Sequence, residues 1–76
     1  MISLEKVLSK VLGIDPKSIT DEMDPGSVPS WDSFNGLLLV TELEKNFGVT
    51  FSIDEVIAVK NVGDIRRALK SHGIQL

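Results

Sequence analysis

With 76 residues and a formal net charge of −3, the chain suits one small domain and lacks the cationic excess that nucleic-acid binding requires. The absence of cysteine excludes disulfides, thiolate metal sites and a cysteine nucleophile. The longest apolar runs, Leu37–Val40 and Val56–Val59, are too short for a membrane span or a signal-peptide core. We therefore expect a single domain over residues 1–76 that is soluble, cytoplasmic and monomeric.

Charge is distributed unevenly along the chain. Residues 31–59 hold five acidic residues and one lysine, whereas residues 60–76 hold four basic residues and one aspartate. An acidic middle segment favours basic partners, and the basic tail would pair with it or complement a helix dipole. For any single charge, a solvated position is the simpler interpretation.

The predicted elements begin with an amphipathic helix that Gly13 ends. Its apolar face has helical spacing and consists of Leu4, Val7, Leu8, Val11 and Leu12. Residues 13–32 contain all three prolines, so no long helix crosses them. Within this loop, Asp15 and Pro16 predict a cap followed by one short turn through Ile19. Apolar loop residues, Trp31 among them, indicate that the loop packs onto the helices.

The second predicted helix runs from about Ser33 to Phe47 and ends at Gly48. At about 100° per residue, its core face and its opposite face separate clearly. The core face consists of Gly36, Leu39, Val40, Leu43 and Phe47, and the opposite face of Phe34, Leu38, Thr41, Glu42 and Lys45. Phe34 and Leu38 are larger apolar groups than a solvated face needs.

Two further helices follow. Ser52 and Glu55 have the spacing of a capping box and predict a short third helix through Val59. Asn61 predicts the cap of a fourth helix, whose buried stripe includes Val62, Ile65, Ala68 and Leu69. Because residues 49–51 are too few for a useful strand, we predict an all-α, four-helix domain with a long loop between helices one and two.

Ser33 stands where the loop meets the second helix, and two roles suit a serine there. Its hydroxyl would cap the helix, which is worth about 1 kcal/mol. Alternatively, the positive end of the helix would stabilise a phosphate joined to that hydroxyl. Capping is the simpler interpretation from the residues alone, although Asp32 would serve equally well as the cap and leave Ser33 exposed.

The segment Asp32-Ser33-Phe34 resembles the Asp-Ser-Leu motif of acyl carrier proteins. The end of the second helix (Leu43–Val49), the first loop (Leu12–Pro16) and the start of the third helix (Phe51–Glu55) also resemble that family. The resemblance extends over nearly the whole chain and includes its length. It implies the family's four-helix bundle.

The resemblance also implies a function. Ser33 would carry 4′-phosphopantetheine, transferred from coenzyme A by a magnesium-dependent phosphopantetheinyl transferase. The terminal thiol of this arm would hold acyl groups as thioesters, so that the chain shuttles them between the acyl-loading and acyl-processing enzymes of fatty-acid or polyketide synthesis. The chain itself would not be an enzyme, because the reactive sulfur belongs to the cofactor.

Four residues are the candidates for partner recognition: Asp32, Phe34, Leu38 and Glu42. Phe34 replaces the family's usual leucine, and Leu38 stands where many fatty-acid carriers have an acidic residue. This less acidic, more apolar face leads us to expect a specialised, secondary-metabolic carrier. Gly36 costs roughly 1 kcal/mol relative to alanine inside a helix and indicates close packing or local mobility.

Two alternatives remain open. A peptidyl or aminoacyl carrier uses the same chemistry with an amino acid as cargo. An unmodified helical interaction module would keep the fold and bind a protein through Phe34, Leu38 and the acidic face. Only the first alternative needs the arm on Ser33.

Overall fold

The computed structural model describes residues 3–75, in which four α-helices and one 3₁₀ turn occur and no strand is present. The elements in chain order are α1 (Leu4–Leu12), the 3₁₀ turn (Pro16–Ser18), α2 (Ser33–Phe47), α3 (Ile53–Ala58) and α4 (Val62–Ser71). This arrangement confirms the predicted all-α class, the short third helix and the long loop between α1 and α2.

The helix ends follow the predicted capping chemistry. Gly13 and Gly48 adopt left-handed conformations, with φ of 68° and 66°, and end α1 and α2. Asn61 caps α4 through a 2.8 Å hydrogen bond from the Asp64 N–H. Ser52 and Glu55 form the predicted capping box, and α3 ends at Ala58 with Val59 as its cap.

The core lies between α1, α2, α4 and the loop. Its buried apolar side chains are Leu4, Val7, Leu8, Leu12, Val28, Trp31, Leu39, Leu43, Val62, Ile65 and Leu69. The helix α3 contributes no fully buried residue. Its position therefore depends on partly buried side chains and on the polar contacts at its ends.

The middle of the long loop is fixed to the start of α4. The N–H groups of Val62 and Gly63, at the start of α4, donate 2.9 Å hydrogen bonds to the carbonyls of Met23 and Asp21. Loop carbonyls thus satisfy donors that a helix N-terminus leaves without helical partners. A β-carbon at Gly63 would lie 3.3 Å from the Asp21 β-carbon, a tight contact that favours glycine at this close approach.

Arg66 joins three parts of the molecule. Its guanidinium donates to Glu5 of α1 at 2.8 Å and to Asp21 of the loop at 3.1 Å. The hydrogen bond from Arg66 lowers the pKa of Glu5. The arginines of the basic tail therefore pair with Glu5, Asp21 and Asp64 rather than with the acidic middle, and His72, which the charge count treated as neutral, contacts Glu55.

Replacing Arg66 by methionine should weaken the fold in a pH-dependent way. We expect a loss of about 1 kcal/mol of unfolding free energy at pH 7, the upper end for partly exposed ion pairs. Because the folded-state pKa of Glu5 is lowered, its contribution is complete above its unfolded pKa of about 4.3 and is lost as pH falls through the lower folded value. Urea unfolding of both proteins across pH 7 to 2.5 measures this difference.

The matched control is Arg67→Met, since among residues 3–75 Arg67 pairs with Asp64 of the same helix, and it is largely exposed. It should cost less than Arg66→Met at pH 7. A difference between Arg66→Met and wild type that stays constant down to pH 2.5 would contradict the assigned ion pairs.

Candidate functional site

Asp32 is the N-cap residue of α2. Its carboxylate accepts a 2.8 Å hydrogen bond from the Asn35 N–H, and Asp32 has the extended backbone of an N-cap. Ser33 is the first helical residue and is exposed. The capping hydrogen bond is thus made by Asp32, and Ser33 is exposed.

The residues before Ser33 are held in place by specific contacts. The Ser30 hydroxyl donates to the Leu12 carbonyl at 2.6 Å, and the Asn35 side-chain amide donates to the Ser30 carbonyl at 2.8 Å. Trp31 is buried, as expected for a loop anchor. A β-carbon at Gly36 would lie 3.7 Å from the Trp31 indole nitrogen, an ordinary van der Waals distance, so Gly36 lies next to Trp31 but the space there would also accept a β-carbon.

An apolar cavity of about 230 Å³ lies beside Ser33. It extends between α2, α3 and α4, and apolar side chains form most of its wall, among them Leu37, Leu39, Leu43, Val56, Val59 and Ala68. Ser33 and Glu55 are the polar residues of the wall. Sequence periodicity identified the core face of α2 but gave no sign of a cavity, because packing gaps depend on contacts between helices.

Five large apolar side chains remain exposed on α2 and α3. We call them the apolar face, and they are Phe34, Leu37, Leu38, Ile53 and Ile57. Sequence analysis identified Phe34 and Leu38 but missed the other three. For Ile53 and Ile57, the i, i+4 spacing on a short predicted helix was a sequence pattern that could have indicated an apolar surface.

Acidic residues near this surface are engaged within the molecule. Glu42, a predicted recognition residue, accepts a 2.9 Å hydrogen bond from the Lys10 ammonium, which lowers the pKa of Glu42. Glu44 accepts from the Phe51 N–H at 2.8 Å and so holds the connection between α2 and α3. Intramolecular contacts therefore account for both carboxylates.

His72, the cap residue at the end of α4, fixes the start of α3. Its Nε2 lies 2.7 Å from the Glu55 carboxylate, and its ring meets Phe51 edge-on at a centroid distance of 5.3 Å. The Ser52 N–H, and then His72, lower the pKa of Glu55. His72 thus ties the end of α4 to one wall of the cavity, as Phe51 and Glu55 both line it.

Residues 3–75 contain neither a metal-binding cluster nor a membrane-spanning helix. No group of three or more histidine, aspartate or glutamate side chains there is placed to hold a metal ion. Within the same residues, no helix has the length and apolar character needed to cross a membrane. The cytoplasmic location, the monomeric state and the absence of nucleic-acid binding stay predictions.

A helical domain that presents an exposed serine at the start of its longest helix, beside an apolar cavity, has the architecture of a carrier for a covalently attached group. The family model described as "Phosphopantetheine attachment site" matches residues 3–69. The chain therefore belongs to the phosphopantetheine-binding carrier family, and its cofactor is covalently attached 4′-phosphopantetheine. An acyl carrier protein of Azobacteroides pseudotrichonymphae genomovar. CFP2 is 33% identical over 67 residues, which cover 87% of this chain and 79% of that relative.

Substitutions at Asp32 and Ser33 test which of the two side chains caps α2. We expect Asp32→Ala to lower the free energy of unfolding by about 1 kcal/mol, because it removes the acceptor of the Asn35 N–H. Ser33→Ala should leave stability within about 0.5 kcal/mol of wild type. Urea unfolding measures both, with Asp32→Asn as the control that keeps a capping oxygen. A larger loss from Ser33→Ala than from Asp32→Ala would reverse the assignment of the cap.

Proposed function

We propose that this chain is an acyl carrier protein that carries acyl intermediates on 4′-phosphopantetheine attached to Ser33 and passes them between biosynthetic enzymes. The observation that carries the proposal is an exposed serine beside an apolar cavity, with its capping role taken by Asp32. The chain contributes attachment, presentation and recognition, and catalysis belongs to its partners: a phosphopantetheinyl transferase and the acyl-loading and acyl-processing enzymes.

The start of α2 suits an attached phosphate. The Ser33 and Phe34 N–H groups lie in the first turn, where no helical carbonyl is available to them, and the helix dipole favours negative charge there. The hydrogen bond of Ser30 and the burial of Trp31 hold the backbone that leads into Ser33. When attached, the arm supplies a terminal thiol that holds cargo as a thioester.

The apolar cavity supports acyl rather than aminoacyl cargo. Each methylene transferred from water into an apolar site gains about 0.8 kcal/mol, whereas a charged amino group there would lose hydration without a matched partner. Glu55, the carboxylate in the wall, already contacts Ser52 and His72. Within acyl carriers, we favour a specialised pathway over primary fatty-acid synthesis, because Leu38 is exposed and Glu42 pairs with Lys10.

Modification at Ser33 is tested by intact mass. After incubation with coenzyme A, magnesium and a promiscuous phosphopantetheinyl transferase, we expect wild type to gain one phosphopantetheine group and Ser33→Ala to gain none. The matched control Ser30→Ala removes a neighbouring hydroxyl and should still be modified. No gain with several active transferases would contradict the proposal and favour the unmodified interaction module.

The cargo class is tested by thermal unfolding of the loaded protein. A group that enters the cavity binds only the folded state and therefore raises Tm. We expect an octanoyl cargo to raise Tm above that of the unloaded, modified protein, by roughly 4–8 °C for each kcal/mol gained. A glycyl cargo should leave Tm unchanged. An increase with glycyl and none with octanoyl would favour the peptidyl or aminoacyl carrier.

A further inference from the structure

Resting on the proposed function, we propose that Trp31 is a cargo-binding residue whose indole N–H donates a hydrogen bond to a carbonyl oxygen of the acyl chain in the cavity. The cavity would then favour oxo-acyl chains, which carry such a carbonyl along the chain, over plain hydrocarbon chains. This assigns to Trp31 a role beyond anchoring the loop.

The indole N–H of Trp31 has no hydrogen-bond acceptor among residues 3–75, although the side chain is only 7% exposed. Polar neighbours in the chain are engaged elsewhere: the Ser30 hydroxyl with the Leu12 carbonyl, and the Asp32 carboxylate with the Asn35 N–H. Buried tryptophans usually find a partner for this group, and an N–H withdrawn from water without one loses its hydration. A bound group that accepts a hydrogen bond would supply the missing partner.

The N–H edge of this indole borders the cavity. Trp31 and Gly36 both line the cavity, and a β-carbon at Gly36 would have the indole Nε1 and Cδ1 as its nearest neighbours, at 3.7 and 3.9 Å. Because residue 36 has no side chain, it leaves the N–H uncovered. In the described part of the chain no fully enclosed side-chain nitrogen or oxygen lacks a partner, so the N–H keeps an accessible opening. A group in the cavity can therefore reach it.

The polar groups of the wall suit a guest that accepts a hydrogen bond. Besides Trp31, the wall contains Ser33 and Glu55. Attachment of the arm turns the Ser33 hydroxyl into an ester oxygen, which no longer donates. Glu55 already accepts from the Ser52 N–H and contacts His72. The indole N–H is then the side-chain donor left in this wall, and a ketone oxygen, which accepts and brings no hydrogen of its own, matches it.

This pairing decides whether an oxo group is tolerated in the cavity. A carbonyl transferred from water into an apolar site loses hydration, and the loss is offset only where a protein donor replaces the water. With the Trp31 N–H present, an oxo-acyl chain keeps the gain from its methylenes and adds a hydrogen bond. An amide of the arm would match less well, because its own N–H would need an acceptor and Glu55 is already engaged.

The test compares oxo-acyl and plain cargo on proteins that differ in this donor. A promiscuous phosphopantetheinyl transferase and the matching acyl-coenzyme A load octanoyl, 3-oxooctanoyl or 5-oxooctanoyl groups, and intact mass confirms loading. In wild type we expect an oxo-acyl form to have a higher Tm than the octanoyl form. Trp31→Phe keeps an aromatic ring and removes the donor, so the oxo-acyl advantage should fall by about 4–8 °C, the shift expected of one hydrogen bond.

Gly36→Ala provides a second variant that should fold. Its methyl group would lie 3.7 Å from the indole nitrogen without a clash, and alanine is the better helix former. The methyl group would shield the N–H and reduce the oxo-acyl advantage. The matched control Val56→Ala trims another part of the wall. It should lower the Tm gain of all three cargoes alike and leave the difference between them unchanged.

The single tryptophan of the chain gives a direct readout, because its indole ¹H–¹⁵N resonance is unique. A hydrogen bond to the cargo should move the indole proton downfield. It should also slow exchange of that proton with solvent about fivefold relative to the octanoyl form.

Three results would overturn the proposal. Equal differences between oxo-acyl and octanoyl forms in wild type and Trp31→Phe would remove Trp31 from cargo binding. A downfield shift that appears with the unloaded arm would assign the N–H to the arm. The same shift with octanoyl as with oxo-acyl cargo would assign it to the thioester carbonyl and end the preference for oxo-acyl chains. If wild type accepts no arm from several active transferases, the proposed function itself fails, and that outcome differs from loading without an oxo-acyl advantage.

Discussion

The attachment of the long loop to α1 and α4 is the constraint on which the rest of the structure depends. Twenty residues that include three prolines cannot satisfy their polar backbone groups by forming a helix. They do so in part by placing the Asp21 and Met23 carbonyls at the start of α4, while the Ser30 hydroxyl reaches the end of α1. The loop is thus held at its middle and near its end, next to buried Trp31 and to Asp32, the cap of α2.

The same domain is unevenly stabilised. Three helices share a buried core, but α3 has no fully buried side chain, and its start is held by polar contacts from Glu44 to Phe51 and from His72 to Glu55. Elements with few buried apolar contacts belong to the least stable part of a fold. The helix α3 also forms one wall of the cavity, so that wall has fewer buried apolar side chains than the walls formed by α2 and α4.

Local chemistry made most of the fold predictable from the sequence. The helix ends at Gly13, Gly48 and Asn61 depend on residues a few positions apart, so the signals lie in the chain itself. The partners of Glu42 and Arg66 were not predictable, because Lys10 is 32 positions from Glu42 and Glu5 is 61 positions from Arg66. For the same reason, sequence reasoning assigned Glu42 to partner recognition without seeing its intramolecular partner, and it missed the cavity, which exists only between packed helices.

The start of α2 resolves the two roles that a serine there would have. A hydroxyl that caps a helix accepts an N–H from the first turn and is held against the backbone, whereas a hydroxyl that is to be modified must be reachable from outside. Asp32 performs the first task through the Asn35 N–H, and Ser33, one position later, is exposed. Of these two adjacent residues, Asp32 thus caps the helix and Ser33 stays accessible for modification. The carboxylate is the better cap of the two at this dipole, because its negative charge also complements the positive end of α2.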